Sequence, residues 1–473
     1  MPRGFYELQL LILAGVCFFS LLVERYVARR AKKSPSTKET ADDRLENGGG
    51  GKASSAALAA LTWKYLLVYG IVMGADWLQG PYVYTLYREQ YQFPERMVAV
   101  FFVTGFLSAG LAAPMVGAWA DEHGRRKMCL IFCLTYAISC VCIMIPSMPI
   151  LLFGRVLGGF STSILFSAFE SWLISSANNV SLPSADLSTI MGRATLINGL
   201  VATAAGVVSN QLVSTTRNFV APFAASGVLL LLAWLVIRNT WTENFGRQGS
   251  PTEKDIFQVR RLGVAWNIVR RDPLLLVLGL TQTCFEGSMY LFVFLWVPSL
   301  QEHTIYHILP FGYIFSGFMI SMMLGSLLYT AIVSFHQRVS SRPGADSSLT
   351  LHAKLSSLVC AVSALALASS VVSHDERVRF WAFCLFEACV GMYYPVQGTL
   401  RGTLISDEHR ATLSSLFRVP LNIFVVVSLL TGVSSARTGV LSASALMLSF
   451  SSLMTGAIIV NRSEQHVLSS QRH

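Results

Sequence analysis

Charge is scarce in this sequence. Only 13% of its 473 residues are Asp, Glu, Lys or Arg, against 53% hydrophobic residues and a mean hydropathy of +0.53. A water-soluble chain of this length needs a charged, hydrated exterior, and too little charge is present to build one. Lipid is therefore the expected solvent for most of the surface. Strict apolar–polar alternation over about ten positions is also missing, which argues against a transmembrane barrel. The chain has instead long continuous apolar runs, close to the roughly 20 residues a helix needs to cross about 30 Å of hydrocarbon. Lipid cannot hydrogen-bond free backbone groups, so helices are the remaining way to span.

Other absences narrow the function. Cys17, Cys129, Cys133, Cys140, Cys142, Cys284, Cys360, Cys384 and Cys389 all fall inside apolar runs and none forms a CxxC pair. A disulfide framework would place them in exposed loops and a zinc site would pair them, so they read as small packing residues. The histidines lie in loops or at helix ends. His303 and His307 have helical spacing but no third ligand, which leaves no metal site. Gly48-Gly49-Gly50-Gly51-Lys52-Ala53 lacks the spacing, the Ser/Thr and the preceding strand of a phosphate loop. With no nucleophile–base set, metal cluster or nucleotide loop, the chain reads as a non-enzyme without cofactors. The net charge of +10 would suit nucleic acid in a soluble protein. Here the basic residues stand in short loops without interleaved aromatics, so a nucleic-acid partner is not expected.

The apolar runs give an all-α polytopic membrane protein. A first helix over about Phe5–Val27 ends in Glu24-Arg25-Tyr26-Val27-Ala28-Arg29-Arg30-Ala31-Lys32-Lys33 with no small-residue cleavage site, so it reads as an uncleaved span with its C-terminal end in the cytoplasm. A Ser-, Gly- and charge-rich linker follows. Six helices are then predicted near 62–87, 97–120, 128–146, 150–177, 190–213 and 219–238. Six more fall near 273–299, 311–335, 353–373, 380–403, 411–433 and 440–460. The predicted organisation is a transmembrane helix over 1–30, a cytoplasmic linker over 31–60, a six-helix bundle over 61–238, a cytoplasmic loop over 239–272, a second six-helix bundle over 273–460 and a cytoplasmic tail over 461–473. Alternating loops from this start puts Arg29, Arg30, Lys32, Lys33, Lys38, Arg44, Lys52, Arg125, Arg126, Lys127, Arg247, Lys254, Arg260, Arg261, Arg270 and Arg271 inside. Only Arg88, Arg96, Arg217, Arg377, Arg379 and Arg437 fall outside. The asymmetry has the expected sign. The sequons at Asn179 and Asn461 both fall inside, where they escape glycosylation.

A faint repeat relates the halves. Arg193-Ala194-Thr195 and Arg410-Ala411-Thr412 each open a helix at the cytoplasmic side. Matching by depth also pairs Arg155-x-x-x-Gly159 with Glu387-x-x-x-Gly391. Paired six-helix halves are a recurring transporter plan with the substrate between them near the midplane.

The strongest motif is Gly117-Ala118-Trp119-Ala120-Asp121-Glu122-His123-Gly124-Arg125-Arg126-Lys127, in an inside loop. It resembles the G-x-x-x-D-x-x-G-R-[RK] signature of the major facilitator superfamily. Gly117 and Gly124 would allow a tight turn and close helix approach. Asp121, Arg125, Arg126 and Lys127 would pair with neighbouring helix ends and gate one conformation. Longer stretches resemble one branch of that superfamily: Asp76-Trp77-Leu78-Gln79-Gly80-Pro81-Tyr82, Gly154–Trp172, Phe285–Pro298, Phe315–Tyr329 and Phe417-Arg418-Val419-Pro420-Leu421. With the extra N-terminal helix they are similar to the molybdate-anion transporter family, over roughly residues 60–460. The resemblance implies the major facilitator fold and uptake of molybdate, a tetrahedral dianion, through a multi-pass carrier in the cell membrane, expected to be a monomer.

The residue chemistry can be weighed beside this. Asp76, Arg155, Glu170, Glu286, Glu387 and Arg418 are charges within spans, with Arg193 at a helix mouth. Each ionised group at mid-helix costs about 2.5–3.5 kcal/mol, so such residues face a partner or a cavity. Arg418 is the foremost substrate ligand, since its five-donor fork suits bidentate contact with an oxyanion. It lies about 12 Å along its helix from Arg410, with Pro420 interrupting the backbone ladder and Asn422 one turn beyond. Gln79 and Asn198 are candidate neutral donors, and Asp76 and Glu286 complete the expected substrate-binding set. Helix-pairing hydrogen bonds are the competing role for Gln79 and Asn198. Glu170, Glu387, Arg155 and Arg193 are assigned to proton coupling or helix pairing. A dianion entering an inside-negative cell loses about 2.3 kcal/mol per charge per 100 mV. Accumulation therefore calls for two co-transported protons or a counter-anion. Sulfate, an organic anion, or a receptor role on a carrier fold are the alternatives.

Overall fold

The computed structural model describes residues 2–33, 50–245, 266–302, 309–339, 348–405, 410–431 and 437–463. Most of the predicted linker, the middle of the central loop and most of the tail, with Lys38, Arg44, Arg247, Lys254, Arg260, Arg261, His303 and His307, lie outside the described residues. The described residues are helical almost throughout, with no strand among them.

The helices are α1 (Pro2–Lys33), α2 (Gly50–Gln79), α3 (Glu95–His123), α4 (Arg125–Ile143), α5 (Met148–Leu165), α6 (Ala168–Asn179), α7 (Ser184–Thr216) and α8 (Ala221–Thr240). Then follow α9 (Pro273–Gln301), α10 (Phe311–Val339), α11 (Ser348–Val372), α12 (Glu376–Leu404), α13 (Arg410–Thr431) and α14 (Arg437–Met454). Among the described residues, 11 spans are long and apolar enough to cross a membrane. Helices α12 and α13 stand outside that count. Glu387, Gln397, Tyr393 and Tyr394 dilute the apolar run of α12, and the helix instead buries much of its length in the bundle. Such burial relaxes the need for a lipid-compatible face.

Three predicted helices depart from regularity, the last of them by passing into a π-turn over Thr455–Val460. The first core span begins earlier than expected, at Gly50, because the Ala-rich stretch before Thr62 is a strong helix former. It then tightens into a 3₁₀ turn at Gly80–Tyr82, where Pro81 withdraws a backbone donor, and ends in a π-turn over Leu86–Gln90. The span predicted over 150–177 breaks between α5 and α6. Ser161, Thr162, Ser163 and Ser167 bond carbonyls four residues back, and Ser163 also reaches the Ala109 carbonyl of α3. Serine and threonine hydroxyls compete with the backbone ladder in this way and bend helices.

Packing builds two bundles. In the first, α2 packs on α7 and α8, α3 on α5, and α4 on α5 and α8; in the second, α9 packs on α13 and α14, α10 on α12, and α11 on α12 and α14. The bundles meet along α7 against α10 and α3 against α13. At the first crossing Gly206 and Gly312 touch backbone to backbone: a Cβ on Gly312 would lie 2.2 Å from the Gly206 carbonyl oxygen. Helix α1 lies on α10 of the second bundle. Tyr6 is hydrogen-bonded to Glu376, Phe5 packs edge-on against Phe380 under the Arg377 guanidinium, and Leu13 reaches Gly317.

The depth-matched repeat is carried by contacts. Gly159 in α5 meets the Gly105 carbonyl of α3, and Gly391 in α12 meets the Met322 carbonyl of α10. The two glycines thus make the same kind of crossing, α5 on α3 in one half and α12 on α10 in the other.

Candidate functional site

The charged residues predicted within spans separate into several groups. Glu286 on α9 is buried and stands among polar side chains of its own half. Its carboxylate accepts from Gln282 Nε2 and Tyr393 Oη, each at 3.3 Å, and lies 3.9 Å from the Arg401 guanidinium. Arg418 on α13 is exposed and interacts electrostatically with both Glu286 and Tyr290. One turn further, exposed Asn422 approaches Gly110 of α3, where a Cβ would be 3.4 Å from its Nδ2. Arg418 and Asn422 therefore share a helix face that reaches toward the first bundle. Here Phe106, Leu107, Tyr290, Asn422, Val425 and Val426 line a cavity of only about 10 Å³, roughly the room for one water. The halves are closed on each other at that level.

The first bundle holds its polar residues differently. Asp76 accepts from Tyr136 Oη at 2.6 Å, and Asn198 accepts from Trp77 Nε1 at 2.8 Å. Gln79 is buried and donates to Ser226 Oγ at 2.9 Å and to the Ala75 carbonyl, so its amide joins α2 to α8 rather than facing the second bundle. For Gln79 and Asn198 the helix-pairing role is the one realised in this conformation. Glu387 is 6% exposed and has no hydrogen bond or ion pair among the described residues. Glu170 and Arg193 are exposed and likewise form none among them. The helix-pairing role foreseen for Glu170, Glu387, Arg155 and Arg193 is thus not made by ion pairs among the described residues.

The gate motif is organised around Gly124, whose φ of 105° is a backbone conformation that glycine tolerates and side chains do not. The turn aims the backbone N–H groups of Arg126 and Lys127 at the Glu243 carboxylate, at 2.8 and 3.1 Å. Arg125 forks onto Asp121 at 2.7 and 2.9 Å and reaches the Ser171 carbonyl, while Arg126 donates to the Arg238 carbonyl. All these bonds stay within the first bundle and the start of the loop that follows it. The close approach expected at Gly117 is not made, since no atom lies within 4 Å of where its Cβ would be.

Contacts between halves gather at the opposite, outer ends. Arg437 at the start of α14 grips Glu95 at the start of α3 with Nε and Nη2, at 2.9 and 2.5 Å, and Tyr84 Oη also donates to Glu95. Gln301 bonds Glu89, and Gln211 Nε2 donates to Tyr313 Oη at 2.9 Å. Below them Phe294 packs edge-on against Tyr84 and Phe102, and Phe106 against Tyr290. Among the described residues no hydrogen bond or ion pair joins the two bundles at the basic, inner ends. Among the described residues, the polar side-chain contacts between the bundles at the helix ends thus lie on the side away from the basic loops.

Sequence reasoning passed over Arg401, Tyr393, Gln282, Tyr290, Tyr136, Glu243 and the Glu95–Arg437 pair. Arg401 carried a usable signal, since it falls inside a predicted span. Glu95 and Arg437 read as loop charges, and nothing local shows that residues 342 positions apart meet.

Comparison with known proteins places the chain. A family model described as sugar transporters with 12 transmembrane segments matches residues 45–385. A molybdate-anion transporter of Xenopus tropicalis is 34% identical over 380 residues, covering 79% of each chain. One of Takifugu rubripes is 34% identical, covering 77% of this chain and 78% of the relative, and one of Danio rerio is 31% identical, covering 89% and 86%. Among solved structures, the nucleoside transporter NupG superposes with a TM-score of 0.62 at 10% identity, over 84% of this chain and 98% of the other. A peptide transporter in complex with sulfate superposes with a TM-score of 0.62 at 13% identity, over 86% and 94%. These structural likenesses speak to fold alone.

Proposed function

This chain belongs to the molybdate-anion transporter family of the major facilitator superfamily, and from that membership we propose that it carries molybdate across the cell membrane by alternating access, the two bundles rocking about a site between them. The observation that carries this reading is similarity over more than three quarters of the chain to relatives bearing that name. The chemistry agrees. An exposed guanidinium within a span, one turn from the Asn422 that approaches the first bundle, suits an oxyanion. A neutral sugar, which the family model's description names, would leave that charge unanswered in a membrane interior.

In this mechanism Arg418 takes the oxyanion by two parallel N–H···O contacts, and Asn422, one turn outward, adds a neutral donor. Glu286 competes with the anion for the cations around it, Arg418 and Arg401, so an arriving anion loosens one charge pair as it forms another. That exchange keeps binding weak enough to release the anion inward. Asp76, held by Tyr136, and Glu387, without an ion pair among the described residues, are the carboxyls available to accompany the anion as neutral, protonated groups. All of these groups belong to a single chain, so the proposed cycle requires no second copy.

Uptake of labelled molybdate into proteoliposomes containing the purified full chain tests the reading, with empty liposomes as the baseline. Saturable uptake that a tenfold excess of sulfate leaves largely intact supports it. Uptake that sulfate abolishes moves the substrate to oxyanions in general, and binding without any flux would make the chain a receptor.

A further inference from the structure

Arg155 was expected to couple or pair, and it does neither with an acid. It stands on α5 seven residues inward of Met148, about 10 Å below the outer end of its helix. No carboxylate pairs with it among the described residues. Its guanidinium lies instead over two aromatic rings, 5.5 Å from the centroid of Tyr87 and 5.2 Å from that of Phe102. Buried beside it, two hydrogen-bonding atoms have no partner among the described residues: Arg155 Nε and the hydroxyl of Tyr87, a residue that is itself 0% exposed. A cation within a span with an unused donor, lying over a ring whose hydroxyl is also unused, is costly unless something of opposite charge visits it.

The surroundings say when that happens. Phe102, one of the two covering rings, is also the ring that meets Phe294 of the second bundle, 4.9 Å away. The aromatic layer over Arg155 is thus part of the seam that holds the outer ends together. Opening the outer side separates Phe102 from Phe294 and leaves Arg155 facing the outer approach to the midplane. On the inner side of Arg155, Tyr136 interacts electrostatically with it and hydrogen-bonds Asp76.

We propose that Arg155 and the Tyr87 hydroxyl form an outer anion-binding subsite in the first bundle, which takes a tetrahedral oxyanion dianion from outside and is sealed by Phe102 when the outer ends close. The subsite rests on the transport reading given above and adds to it a second cation, from the half opposite Arg418. A dianion entering from outside meets Arg155 first and Arg418 second. One positive charge comes from each bundle, and only in the outward-open state are both within its path.

The test separates outside from inside. Molybdate influx into intact cells and molybdate efflux from the same cells after loading are measured for wild type, Arg155→Gln, Arg155→Lys and Tyr87→Phe, each normalised to surface protein. Arg155→Gln is expected to raise KM for influx about tenfold or more, the size of a lost charge-assisted contact. Maximal rate and the KM for efflux should stay within about twofold, because the subsite is sealed on the inward-facing side. Arg155→Lys, which keeps the charge without the fork, should fall between, and Tyr87→Phe should raise the influx KM by a few fold. An unchanged influx KM, or equal effects on influx and efflux, overturns the proposal and leaves Arg155 a structural residue. Where Arg155→Gln does not reach the surface, Arg155→Lys and Tyr87→Phe decide. A wild type that moves no molybdate defeats the transport reading and the subsite together, whereas normal wild-type flux with an indifferent Arg155→Gln defeats the subsite alone.

Discussion

The proposed cycle turns on Arg418 and on Glu286, which pairs with Arg401 and interacts electrostatically with Arg418, and removal of the two should have opposite signatures. Arg418→Ala takes away the fork that meets the anion. A loss of about 1.5–3 kcal/mol for a charged contact predicts a fall of ten- to a hundredfold or more in uptake efficiency. Arg418→Lys should recover part of it, and initial rates at matched surface density are the measurement. Glu286→Gln removes the competitor instead. Arg401 and Arg418 then hold the anion harder, so KM should fall, net uptake should slow, and exchange of labelled for unlabelled molybdate should persist. A Glu286→Gln carrier with raised KM and normal turnover would contradict the assigned role. The cysteines are a quieter case. All nine are free and buried, so reducing agents should not change transport, as their placement within apolar runs already indicated.

At the scale of the element, the closures are asymmetric. The outer ends are latched by Glu95–Arg437 and by aromatic packing around Phe294, whereas the inner-loop motif is tied internally through Asp121–Arg125 and Glu243. Glu95→Gln should weaken the latch by about 1–3 kcal/mol, enough to shift the balance of states several-fold or more toward outward opening. Faster labelling of a Phe294→Cys reporter by a membrane-impermeant maleimide would register that shift, and the charge-reversed pair Glu95→Arg with Arg437→Glu should slow it again. Gly312→Val places a branched side chain where the Gly206 carbonyl sits. An overpacked crossing of this kind costs about 1–3 kcal/mol and should hold the bundles apart, reducing transport more than abundance. Helix α1 belongs in position to the second bundle although the chain continues from it into the first. Its contacts at Phe5, Tyr6 and Leu13 make it a side panel of α10 and α12. The sequence announced a helix there but not its host.

The whole molecule has to move two negative charges against an inside-negative potential, a cost of roughly 4.6 kcal/mol per 100 mV. Proton coupling through Asp76 or Glu387 predicts that an acidic exterior drives molybdate accumulation and that a protonophore abolishes it. Accumulation that survives the protonophore but needs a trapped internal anion would assign the work to exchange. Either outcome is read from uptake in proteoliposomes with imposed gradients. The proposed orientation offers a further check at this scale: it puts Asn179 and Asn461 inside, so glycosidase treatment should leave the mobility of the expressed protein unchanged.

By itself the sequence determined the helical spans and located the inner-loop motif, and its basic loops set an expectation for the orientation. Apolar length, basic-loop asymmetry and the Gly124 turn are local properties, and lipid as a solvent imposes them one segment at a time. It also singled out Arg418 as a candidate ligand, because an arginine in an apolar run stands out wherever the helix goes. Only the tertiary structure decided what each charge faces. It turned Gln79 toward Ser226, set Arg155 under Tyr87 and Phe102 without an acid, brought Glu95 to Arg437, and gathered Arg401, Tyr393 and Gln282 around Glu286. Those outcomes depend on which helix faces meet across two bundles. Spacing along one chain carries no record of that choice, since it is set by close-packed crossings such as Gly206 on Gly312.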